Sequence, residues 1–163
     1  MIAVFVEGSS DAGFIEEVCR RLSVKCKAFV LRGNRVEKAV RKARALVDTY
    51  NYILLLKDTH GLAEDTLEKF DKEVSRGLMD LKNKGVVVRV LRVNKSIESW
   101  ILAGLCEENP EDVVDPERRL SERISKIVVK AEKPYRDIAR VIDVDHAIAK
   151  SQSFNEFVKA LKS

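Results

Sequence analysis

Apolar positions follow two alternating rhythms along the first 93 residues. Ile2 to Val6 is a continuous apolar run with two valines and a phenylalanine, which suits a short strand buried on both faces. From Asp11 the period changes: Phe14, Val18 and Leu22 recur four apart with Ile15 beside them, tracing one helix face. The pattern then repeats. Lys27 to Leu31 predicts a second strand, closed by the turn Arg32-Gly33-Asn34, and Val36, Val40, Ala43 and Val47 predict a second helix. Tyr52 to Asp58 is the strongest strand. Leu67, Phe70, Val74, Leu78 and Leu81 form a helical stripe with Gly85 as its expected C-cap, and Val86 to Val93 predicts a fourth strand.

Strands alternating with helices imply right-handed crossovers and a mostly parallel four-stranded sheet flanked by helices, an α/β fold. The remainder reads as helical. Ser96 is the expected N-cap of "SIESWILAGL". Leu120, Ile124 and Ile127 share one face, and Ser153-x-x-Glu156 reads as a capping box before Phe157, Val158 and Leu161. Asn109 to Pro116 is the expected surface loop. With no repeat and no clear linker, one domain over 1–163 is expected, an α/β core in 1–105 with a helical extension in 106–163.

Composition narrows this picture modestly. A chain of 163 residues can bury one sizeable core. Thirty basic residues nearly matched by 26 acidic ones permit a polyanionic partner without demanding one, and argue against a binder of the histone type. If phosphates are handled, a local site is expected. Arg32, Arg35, Arg41, Lys42 and Arg44 line the outer face of the second helix, either as a solvated face or as a nucleic-acid groove. Three cysteines without a close pair argue against a disulfide scaffold and a four-cysteine zinc site, so Cys19 and Cys26 read as small core hydrophobes. No run approaches 18 apolar residues and no signal peptide is visible, so no membrane partner and a cytoplasmic location are expected. Abundant Lys, Glu and Arg with a single glutamine, Gln152, resembles thermophile composition.

The candidate chemistry lies at strand ends, where parallel sheets bind ligands. Glu7 follows the first strand, Asp58 ends the third, and Glu98 stands five residues past the fourth. His60, two residues beyond Asp58, would face the same way in extended chain. Carboxylates converging on one crevice repel each other unless a cation sits between them, and hard oxygen donors favour Mg2+ or Mn2+. Gly8 is expected to let the backbone turn away at once, and Asp11 to hold an outer-shell water. Three of these residues also have plainer readings. Asp11 and Glu98 suit first-turn helix positions, and His60 suits a loop. Glu7 resists such a reading, because a charge ending a fully apolar strand needs a compensating partner. Trp100, among apolar neighbours at helical spacing, reads as core rather than as a base-stacking platform. The chain contains no P-loop, dinucleotide fingerprint, nucleophile elbow or HExxH motif.

"VFVEGSSDAGFIEEVCRRL" resembles the opening motif of the Toprim domain, and "YILLLKDTHG" lies where that family carries Asp-x-Asp. "SIESWILAGL" resembles the segment after the fourth strand in OLD-type nucleases and small related proteins, which the tail "KPYRDIARVID…SQSFNEFVKAL" also resembles. The resemblance implies a Mg2+ site built from Glu7 and the acidic pair of the third strand. Glu7 would act as general acid or base, and Glu98 would join a second metal position. In this chain the second aspartate of the pair is His60. Histidine binds Mn2+, Fe2+ or Zn2+ but is a poor Mg2+ ligand, so the metal preference is shifted or the site is weakened or silent.

Three readings follow. The first is a metal-dependent phosphodiesterase or nuclease. Glu7, Asp58, His60 and Glu98 would hold one or two divalent ions, and Lys57 or Arg32 would offset phosphate charge. The second is a non-catalytic module of the same type that binds nucleic acid, DNA or RNA, or a protein. The third, with Asp58 as a phosphoacceptor, would require paired acids after the first strand, where Glu7 stands alone. The oligomeric state, a homodimer included, is left open.

Overall fold

The computed structural model describes residues 1–33 and 35–163. Asn34, the third residue of the expected turn after the second strand, lies outside the described residues.

Four short strands carry the sheet: β1 (Ile2–Val6), β2 (Cys26–Val30), β3 (Tyr52–Asp58) and β4 (Val87–Val93). All pairings are parallel and the spatial order is β2-β1-β3-β4. The helices between them are α1 (Ser9–Arg21), α2 (Val36–Leu46), α3 (Glu64–Gly77) and the single turn α4 (Met79–Lys82). The expected α/β order is therefore present.

The solid apolar runs of β1 and β3 are explained by burial on both sides. Ala3, Phe5, Ile53 and Leu55 point into one core with Ala39 and Ala43 of α2 and Phe70 and Val74 of α3. Val4, Val6, Leu54 and Leu56 point into the other, with Phe14, Ile15 and Val18 of α1 and the helices beyond β4. Those are α5 (Ile97–Gly104), α6 (Pro116–Ile124), α7 (Glu132–Val141), α8 (Val144–Lys150) and α9 (Gln152–Lys162), with a 3-10 turn at Pro110–Asp112. Among the described residues, no helix is long and apolar enough to cross a membrane.

Several local expectations need correcting. Cys19 and Cys26 are joined as a disulfide, with Cα atoms 6.3 Å apart. Ser23 turns in the left-handed region and Val24 donates back to the Cys19 carbonyl, so a separation of seven residues closes on itself. The stripe from Leu67 to Leu81 is buried as expected but breaks at Leu78 into two helices. α6 stops at Ile124 on a left-handed Ser125, which leaves Ile127 88% exposed rather than in line with Leu120. The last helix begins two residues before the expected box, because Ser151 takes the capping role and accepts from Phe154 N. Ser153 Oγ is used elsewhere. It accepts from Trp100 Nε1 at 2.7 Å and from Asn94 N at 3.1 Å, tying α9 to α5 and to the end of β4. Trp100 is fully buried and stacks on Phe157.

Candidate functional site

The strand order places the chain's reversal between β1 and β3. From β1 the chain moves outward to β2, crosses back to β3, and continues outward to β4. In open parallel sheets the crevice at the carboxyl ends of such a pair is the usual ligand site. Here those two strands deliver Glu7 and Asp58.

A cleft of about 1020 Å³ opens at this point. Its wall includes Glu7, Asp11, Asp58, His60, Glu98 and Lys130. Glu7 Oε1 is buried without a hydrogen-bond partner. Burial pushes the Asp58 carboxyl up to about 9, and the charges of Glu7, Asp11 and Glu98 add to that. Burial, followed by the charge of Glu98, likewise holds Asp11 up at about 7, although its carboxylate accepts from Gly8 N at 3.3 Å. Four acids from three separate turns thus feel one another across one space.

Gly8 does not play the expected part. Its φ of −135° is ordinary extended backbone, open to any residue. A Cβ there would lie 3.9 Å from Asp11 Oδ2 and 4.0 Å from Ser10 Oγ, ordinary contact distances, so neither its backbone nor its surroundings demand glycine.

Glu98 sits in the first turn of α5, as its spacing from β4 predicts, and Ser96 is the N-cap residue, though its hydroxyl caps nothing. The Glu98 side chain is buried. It accepts from the Tyr135 hydroxyl at 3.0 Å and lies 3.3 Å from Lys130 Nζ. Tyr135 is wholly buried, and burial together with Glu98 raises its pKa, so it remains a donor. Burial opposes the charge of Lys130, but Glu98 and Glu117 outweigh it and raise the ammonium's pKa.

The other expected residues are more scattered. His60 lines the same cleft at its exposed rim, its amide donating to the Lys95 carbonyl at 3.2 Å. Lys57 is outside the cleft wall. Strand alternation turns it to the opposite face of β3 from Asp58, where its ammonium lies 4.7 Å from the centre of the Phe70 ring. Burial lowers its pKa, while Glu7 and Asp58 act against that from across the sheet. Arg32 is exposed beside the cleft. Its amide donates to the Glu7 carbonyl at 3.2 Å, while the neighbouring Gly33 lines the wall.

Among the described residues, no group of three or more His, Cys, Asp or Glu side chains is drawn together closely enough to make a ready-formed metal site. The acids line the cleft wall without closing on one point. An ion that keeps much of its water, as Mg2+ ordinarily does, would need only one or two of them. The chain matches no family model, no curated protein and no solved structure.

Proposed function

We propose that the protein is a Toprim-like, divalent-metal-dependent phosphodiesterase acting on nucleic acid. The observation that carries this reading is the buried, unpartnered Glu7 Oε1 beside an Asp58 carboxyl that burial, and then the charges of Glu7, Asp11 and Glu98, push toward its protonated form. A cation would answer both, and Glu7, Asp58 and Glu98 are hard oxygen donors suited to Mg2+ or Mn2+, of which an ion would take one or two directly and reach the rest through its own water, with His60 at the rim favouring Mn2+. Such an ion would supply Lewis-acid charge against the negative charge that develops in phosphoryl transfer. Glu7, with one oxygen free, is placed to take or give a proton at the reacting water or leaving oxygen. Tyr135 fixes the orientation of Glu98.

Purified protein should cut DNA or RNA in Mn2+ or Mg2+, and Glu7→Gln should lower the rate by about 10²- to 10⁴-fold. Metal-dependent cleavage that survives both Glu7→Gln and Asp58→Ala would overturn the assignment.

One observation favours a second reading. The position expected to carry the second aspartate holds an exposed histidine, so the fold can serve as a binding module without turnover. Salt-sensitive nucleic-acid binding with no cleavage in either metal would select it.

A further inference from the structure

The segment 125–131 joins α6 to α7 without helix or strand of its own, and from it Lys130 lines the cleft. Ile127 and Val129 are 88% and 62% exposed, while Val128 between them packs against the core. Lys130 is held by two carboxylates. Its ammonium lies 3.3 Å from Glu98 Oε1 and 3.3 Å from Glu117 Oε2. The two carboxylates differ sharply, since the Glu98 side chain is 3% exposed and that of Glu117 is 51% exposed.

A carboxylate as buried as Glu98, facing Asp11 and Asp58, requires positive charge nearby. Tyr135 donates a hydrogen bond to it but carries no charge. Lys130 supplies the charge, and it does so on the carboxylate that a divalent ion in the cleft would also claim. The two cations therefore compete. The lysine is half exposed and already held by Glu117 on its outer side, so it can leave Glu98 without losing every partner.

We propose that Lys130 is a built-in counter-ion of the carboxylate cleft, which a divalent cation must displace from Glu98, so that this lysine sets how tightly the cleft holds the ion. The inference rests on the metal reading above. It assigns Lys130 a specificity role, in which loss of a positive charge strengthens cation binding.

Calorimetric titration of the full chain with Mn2+ tests this without an activity assay. Lys130→Met keeps the apolar stem and should bind Mn2+ about fivefold more tightly than wild type, whereas Lys130→Arg should stay close to wild type. Binding by wild type with equal or weaker binding by Lys130→Met overturns the counter-ion role and leaves the metal reading standing. Tighter binding by Lys130→Arg as well would show that side-chain shape rather than charge is responsible, and would also overturn it. Absence of Mn2+ binding in wild type and both variants overturns the metal reading and this inference together.

Discussion

At the residue scale the site turns on charge placed where burial opposes it. Asp58 has a folded-state pKa of about 9 against an ordinary 3.8. The folded chain therefore holds a proton that the unfolded chain has released. The associated stability is complete below about pH 4 and is lost as pH rises toward 9. Asp11, held up at about 7, acts in the same direction. In chelator, the denaturation midpoint of wild type should fall between pH 5 and pH 9, and Asp58→Asn should flatten that fall. An unchanged slope in the variant would show that Asp58 is not the group responsible. Glu7, Asp58 and Glu98 were legible because an acid at the end of a buried strand, or just after one, is costly unless it has a use. Lys130 and Tyr135 were not. Their partner Glu98 is 37 residues from Tyr135 in the chain, and no local spacing links a tail lysine to a strand end. Lys57, expected to offset phosphate charge, lies outside the cleft wall because the period-two alternation of β3 turns it away from Asp58.

At the element scale, the helical extension holds the site together. α7 lies against α1 so closely that a methyl group on Gly13 would collide with the backbone carbonyl of Glu132. Tyr135 is less than one turn further along α7. Gly13→Ala should force the two helices apart, costing about 1–3 kcal/mol in a denaturant melt and loosening the hydrogen bond from Tyr135 to Glu98. A variant as stable as wild type would show that the helices can separate freely and that this contact does not hold α7 in place. The strands and helices of the first half were readable because each buries a periodic face. Boundaries failed where a side chain took a tertiary role instead of a local one. Ser153, placed as a cap by its spacing from Glu156, serves Trp100 and Asn94 while Ser151 caps. The disulfide escaped for a similar reason, since Cys19 and Cys26 meet only through the left-handed turn at Ser23.

At the scale of the whole molecule, the strand order β2-β1-β3-β4 brings the ends of β1 and β3 together, and α5 and α7 add Glu98 and its partners from one side. The cleft wall carries Glu7, Asp11, Asp58 and Glu98 although the net charge of the chain is +4, so on the proposed reading a polyanion would enter the cleft only alongside a cation. The parallel sheet with its flanking helices was legible from the apolar periodicity alone. The cleft's depth was not, because its wall includes Val114 to Glu117, a segment that reads in sequence as surface loop and helix start. The account's central claim is that Glu7 belongs to a cation site. It is tested most directly by thermal unfolding of wild type and Glu7→Gln in chelator and in Mn2+. At about a hundredfold excess over the dissociation constant, Mn2+ should raise the melting temperature of wild type by about 5 °C and leave Glu7→Gln nearly unmoved. An equal shift in both proteins, or no shift in wild type, would contradict it.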